Sequence, residues 1–194
     1  MLSAIIERLN EKRNDELEGE ADGGFTLIEL MVVLLIMAIL LAIAIPTFLG
    51  VKGGAQDRAA QSNLNTALTN AKAVYGNNQT YGTAASAQSS LSSSEASLSF
   101  VAAATASTGQ NSISVGTDTS GNGILLVNLS SGGDCWGILT NETTTSTGQG
   151  ASTWPKSTAA GTYYTSWKPT VLGPCTTATG YSATWQINSF PSAA

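Results

Sequence analysis

The chain has few places where chemistry could sit. It has 194 residues and no histidine, which excludes Ser-His-Asp triads, Cys-His dyads, HExxH zinc sites and a histidine general base. Its two cysteines, Cys135 and Cys175, cannot complete a structural zinc site of the all-cysteine or cysteine–histidine kind. A serine or aspartate nucleophile would need a partner base, and none stands at motif spacing. No catalytic residue, metal or cofactor is therefore expected. With 8 basic residues against 13 acidic ones and a net charge of −5, a broad nucleic-acid face is not expected either. One acid needs a specific explanation. Glu29 is the only charge in the run Phe25–Val51. An acid at mid-helix in a membrane costs about 2.5–3.5 kcal/mol, and less near an interface. An ordinary anchor would gain by losing it.

The elements that position Glu29 follow from an uneven charge distribution. Residues 1–24 carry three basic residues (Arg8, Lys12, Arg13) and seven acids, so most of the chain's negative charge lies there. From Leu30 to Val51 there are 22 residues without a charge, which as a helix would span roughly 33 Å, enough for a bilayer core. The segment does not read as a secretory signal. Its small pair Gly23-Gly24 precedes the apolar run, and no Ala-x-Ala site ends it. Beyond it Ala60, Leu64, Ala67, Leu68, Ala71, Val74 and Tyr75 recur at spacings of three and four, the mark of an amphipathic helix, and Tyr75-Gly76-Asn77-Asn78 reads as its stop. The helix is expected over 25–76.

Gly24-Phe25-Thr26-Leu27-Ile28-Glu29 followed by a long apolar run resembles the class III signal of bacterial type IV pilins and pseudopilins. Pro46 also matches a proline that many such pilins carry in the first helix. The close resemblance covers roughly residues 23–76. It implies cleavage by a prepilin peptidase between Gly24 and Phe25, followed by N-methylation of Phe25 by the same enzyme. The acidic stretch Glu16–Asp22 departs from the basic leaders common in the family and puts processing efficiency in question. Arg8, Lys12 and Arg13 still provide a cytoplasmic positive cluster. The resemblance further implies a subunit held in the inner membrane before assembly and a helical homopolymer afterwards. The partners it implies are an assembly platform and motor ATPases that consume the ATP.

Cleavage would create an α-amine on Phe25, four residues and one helical turn from Glu29. Pairing two such charges removes most of the cost of holding them in an apolar environment. In the family, the glutamate of an incoming subunit is thought to meet the amine of a neighbour, which would set axial register. The alternative is that Glu29 pairs only with the amine of its own Phe25. Pro46 removes a backbone hydrogen bond, and Gly50, Gly53 and Gly54 each cost about 1 kcal/mol in a helix interior. A kink or locally unwound segment is therefore expected over 46–54 in a filament. A tolerated proline in a continuous helix is the alternative for an isolated subunit.

After residue 76 the chain is rich in Ser and Thr, which number 23 and 24 in the whole sequence. Residues 83–99 read as a Ser/Ala connector with weak helical potential. Strands are expected at Ser97–Ala103, Ser112–Thr117, Gly123–Asn128, Trp136–Thr140, Thr162–Trp167 and Tyr181–Asn188, as an antiparallel meander. Gly121-Asn122-Gly123 is a candidate tight turn. Trp136, Trp154, Trp167, Trp185, Tyr163, Tyr164 and Tyr181 supply the bulk of a small core. In an oxidising compartment Cys135 and Cys175 read as a disulfide, as in many type IV pilins, with a reactive thiol pair as the alternative. The Thr-rich stretch near 140–153 is a candidate for adhesion or O-glycosylation, or a solvated loop.

The expected fold is α+β and pilin-like, with the C-terminal half of the long helix packed on an antiparallel sheet. Its organisation is a leader (1–24), a membrane or filament-core half-helix (25–54), an amphipathic half-helix (55–76) and a disulfide-stapled head (77–194). The expected function is that of the major subunit of a type IV pilus, a surface filament for attachment or twitching motility. The alternatives are a pseudopilin of a type II secretion system, or a minor pilin for adhesion or DNA uptake. The head's only cations beyond residue 76, Lys156 and Lys168, argue against DNA.

Overall fold

A computed structural model describes residues 25–143, 159–180 and 183–192. The chain divides into two compact units, Met1–Thr47 and Phe48–Ala194. The helix α1, Leu27–Asn78, is assigned without interruption through Pro46, Gly50, Gly53 and Gly54. Unwinding over 46–54 is thus absent from the isolated subunit. Proline cannot donate to the carbonyl of Ala42. One residue on, the hydroxyl of Thr47 donates back to the carbonyl of Ile43 at 2.5 Å, a bond that competes with the helical ladder. Helix α1 ends two residues later than expected, at Asn78 rather than at residue 76. Gln79 takes a left-handed conformation (φ 56°) and its N–H bonds the Tyr75 carbonyl at 2.7 Å, a helix stop that needs no glycine.

In the first unit every described side chain is exposed, including the apolar run as far as Thr47. By length and composition α1 is able to cross a membrane.

The second unit is built on six strands: β1 Ser99–Ala102, β2 Ser112–Thr117, β3 Gly123–Leu129, β4 Cys135–Asn141, β5 Gly161–Trp167 and β6 Gln186–Ile187. They lie side by side in chain order. The pairs from β2 to β6 are antiparallel, as expected, but β1 runs parallel to β2, with Ser99 opposite Ser112. The meander is therefore corrected at its first strand. The loop 103–111 crosses over instead of making a hairpin. It is tied down by the Ser107 hydroxyl, which donates to the carbonyl of Ser112 at 2.6 Å and accepts from the Leu129 N–H at 2.8 Å.

Part of the expected connector is ordered as helix α2, Ala84–Ser94, with Thr83 capping its start by accepting from the Ser86 N–H at 3.3 Å. The weak helical potential of that stretch suffices because Ala87 and Leu91 are buried. Gln88 of α2 donates to the carbonyl of Phe100 at 2.8 Å, covering part of the β1 edge. Two short helices, α3 Pro169–Leu172 and α4 Thr177–Gly180, lie between β5 and β6. The last expected strand shrinks to Gln186–Ile187, and Tyr181 lies outside the described residues.

Strand alternation sorts the core onto two faces. Ile113, Val115, Ile124, Leu126, Trp136 and Ile138 form one cluster with Ala60, Leu64, Ala67, Leu68 and Ala71 of α1 and with Ala87 and Leu91 of α2. This is the expected burial of the amphipathic stripe. Leu125, Val127, Cys135, Leu139 and Trp167 form a second cluster with Cys175, and Ala183 and Trp185 pack against it. The C-terminal segment thus covers the face turned away from α1. Gly137 makes this cover possible. A Cβ there would come within 2.9 Å of Thr165 and 3.2 Å of the Trp185 ring. Past β6 the chain returns to the helix side, where Phe190 meets Trp136 and Tyr164 edge-on at 5.6 and 4.8 Å. Among the expected core aromatics Trp136 and Trp167 are buried, while Tyr163, Tyr164 and Trp185 pack at the margins. Trp154 and most of the Thr-rich stretch lie outside the described residues.

Candidate processing and assembly site

The candidate site begins at the start of α1. Gly24 lies outside the described residues; Phe25 is 87% exposed. Thr26 is the last residue before the helix and Glu29 falls in its first turn. The Thr26 N–H donates to Glu29 Oε2 at 2.9 Å, the Thr26 hydroxyl donates to the same oxygen at 2.7 Å, and the Glu29 N–H donates to Thr26 Oγ1 at 3.3 Å. This is a capping box: threonine and glutamate three apart satisfy two of the helix's orphan donors reciprocally. The Thr-x-x-Glu spacing was present in the sequence, and it gives Glu29 an occupation before any second chain is involved. In the uncleaved chain the nitrogen of Phe25 is an amide, and the carboxylate of Glu29 is held by Thr26 instead. A negative group in the first turn also faces the positive end of the helix dipole.

Pro46, Gly50, Gly53 and Gly54 lie within the helix, and a Cβ on any of these three glycines would meet nothing within 4 Å. No packing requirement among the described residues therefore explains the glycines.

The next polar residue with a clear task is Asp57, which sequence reasoning passed over. It is 8% exposed. Its Oδ1 accepts from the Ser130 hydroxyl at 2.5 Å and from the Trp136 indole N–H at 3.3 Å. Residue 132 must be small here, since a Cβ would lie 3.0 Å from Asp57 Oδ1 and 3.5 Å from the Gly53 carbonyl. Asp57 thus fastens α1 to the β3–β4 turn and satisfies a buried indole donor. It lies three residues before the apolar stripe that begins at Ala60, on the same face, and its partners are 73 and 79 residues away.

At the far end of α1 a second fastening forms. The Tyr81 N–H donates to the Gly121 carbonyl at 2.7 Å, and the Tyr81 hydroxyl donates to Glu142 Oε1 at 2.7 Å. Tyr75 donates to Asn122 at 3.1 Å and its ring lies 4.8 Å from that of Tyr81. The expected turn is present: the Asp118 carboxylate accepts from the Gly123 N–H at 2.8 Å and from the Ser120 hydroxyl, and Gly121 adopts φ 73°. Burial raises the Tyr81 phenol well above its ordinary value, and the Glu142 carboxylate adds to the effect.

Cys135 and Cys175 are bonded, with Cα atoms 5.3 Å apart, and both are buried. The Cys175 carbonyl accepts from the Ser107 N–H at 2.9 Å, so the disulfide also ties the C-terminal cover to the crossover loop. The pairing excludes the reactive-thiol alternative in this state.

The family model described as the prokaryotic N-terminal methylation motif matches residues 21–45. No curated protein and no solved structure matches the chain. The match spans the glycine–phenylalanine junction, the capping box and the apolar run up to the residue before Pro46. The chain therefore carries the class III, N-methylation signal of type IV pilins and pseudopilins, set on a long apolar helix that continues into an α+β head.

Proposed function

We propose that this chain is the major structural subunit of a type IV pilus. It would be inserted in the inner membrane, cut between Gly24 and Phe25, N-methylated on Phe25 and polymerised through the apolar half of α1. The observation that carries this reading is the methylation motif at 21–45 followed by an apolar helix whose side chains are all exposed within the chain. Such a surface needs either lipid or other copies of itself, since an apolar helix face must be covered. A head stapled by Cys135–Cys175 and rich in Ser and Thr supports a pilin over a pseudopilin. Prepilin peptidase, the assembly platform and motor ATPases are the partners this reading requires.

In the assembled filament Glu29 would exchange its bonds with Thr26 for a neighbour's terminal amine and fix axial register. The segment 46–54 would bend or unwind there, where three unpacked glycines follow a proline. Intact-mass and N-terminal peptide analysis of filaments sheared from native cells tests the assignment. The expected result is an abundant chain beginning at N-methylated Phe25. A processed chain confined to the cell envelope would favour the pseudopilin or minor-pilin alternative. A mature chain still beginning at Met1 would overturn the reading altogether.

A further inference from the structure

Two cations on α1 have nothing to pair with among the described residues. Lys52 is the first charge after the 22-residue uncharged run, and Arg58 follows six residues later. Both are exposed. Neither makes a hydrogen bond or an ion pair among the described residues; the ion pair found there joins Lys168 to Asp134 at 3.1 Å.

The acids that might have served them are occupied. Asp57, which lies between them, faces Ser130 and Trp136. Glu95 accepts from Ser97, Asp118 from Ser120 and Gly123, and Glu142 from Tyr81. Lys72, the next cation along the helix, is already directed at the Thr162 hydroxyl at 3.3 Å.

Lys52 and Arg58 are separated by about 9 Å along the helix axis and by about 120° around it. They therefore point from two faces of the helix, as an open collar, rather than along one stripe. A Cβ on Gly53 or Gly54 between them would meet nothing within 4 Å, so no side chain crowds the helix there. A lysine or arginine at the end of an apolar span lays its stem along the hydrocarbon and places its charge among the phosphates.

Resting on the reading of this chain as a membrane-inserted precursor, we propose that Lys52 and Arg58 are a binding site for anionic phospholipid headgroups. They bind lipid phosphates on the non-cytoplasmic leaflet and set the depth at which the subunit waits before assembly. Lysine contributes a point charge and arginine a planar fork that grips two phosphate oxygens. Extraction into a filament breaks these contacts, so the collar is a retention device for the unassembled subunit.

The test uses the full-length protein in detergent micelles, titrated with phosphatidylglycerol or phosphatidylcholine, with retained lipid read by native mass spectrometry. Each cation near an anionic surface is expected to contribute about fivefold in affinity. The wild type should therefore prefer phosphatidylglycerol by about 25-fold, and this preference should fall as ionic strength rises. The double variant Lys52→Gln/Arg58→Gln should lose it, while Lys168→Gln, which removes the cation paired with Asp134, should keep it. Tryptophan fluorescence melts of each variant verify that the head is folded.

An unchanged preference in the double variant overturns the proposal. So does inorganic phosphate that displaces the lipid at millimolar concentration. An unchanged lipid preference together with reduced filament yield assigns the cations to a neighbouring subunit's acids, which also overturns it. Membrane insertion and the N-methylated Phe25 end do not depend on these cations. Their survival alongside a failed lipid preference refutes the collar alone, and their absence refutes the subunit reading.

Discussion

The two halves of α1 follow one helical geometry and answer to different environments. Up to Thr47 the helix exposes Leu, Ile, Val and Met on all sides and buries none of them among the described residues. From Asp57 onward one side is buried every three or four residues against a sheet, and the polar groups on that side have named partners. A helix apolar all round is stable only where its surroundings are apolar. An amphipathic one carries its partner with it. The first half is therefore specified by something outside this chain and the second by the head. The change falls within 46–56, where Pro46, Gly50, Gly53 and Gly54 reduce local stability.

This contrast is open to direct attack, and the largest effect is expected at Glu29. Its charge and its capping role separate cleanly, because glutamine also completes a capping box. Glu29→Ala should leave processing intact and abolish or greatly reduce filament yield. Glu29→Gln should fail to assemble as well if the charge sets register. Normal filaments from the glutamine variant would assign Glu29 to the cap alone. In both variants the melting of the head should be unchanged. All four tryptophans lie between residues 136 and 185, so their fluorescence reports the head and not the apolar half.

A smaller effect, confined to the other region, is expected from Cys135→Ser/Cys175→Ser. Releasing a loop with a sequence separation of 40 should destabilise the head by about 4 kcal/mol in the chain-entropy model. Chemical denaturation followed by tryptophan fluorescence would measure the loss, and a shift under about 1 kcal/mol would show that the second core holds without its staple. The apolar half should insert into membranes as before.

The smallest effect belongs to the Tyr81–Glu142 bond. Tyr81→Phe should cost about 1 kcal/mol at neutral pH. Because the folded state raises the phenol's pKa, the native state favours the protonated form. Its contribution is complete below the unfolded value of about 10 and is lost as pH rises beyond it. Wild-type stability should therefore fall above about pH 10, and the Phe variant should show less of that fall. Parallel curves for the two proteins would remove Tyr81 from the fastening.

The sequence alone revealed the methylation motif, the ends of α1 to within two residues, the positions of five strands and the pairing of two cysteines. Each is a local pattern: a motif, a period of 3.6 or 2, or a count of two. Strand direction was not local. The parallel placement of β1 depends on Ser107 and on Gln88, which reach across loops to bond distant backbone groups. The short helix α2 is likewise held by burial of Ala87 and Leu91, which its Ser-rich composition does not announce.

What the residue order determined about this protein is the methylation motif at 21–45, the apolar run that continues past it and which segments extend. The tertiary structure alone decided which polar groups fasten the helix to the head. Asp57 meets Ser130 and Trp136 across more than seventy residues, and such bonds exist only once the sheet has brought their donors to the same place. It likewise decided that the sheet is covered on both faces. That depends on Gly137 leaving room for Trp185, a fit between side chains that no periodicity encodes.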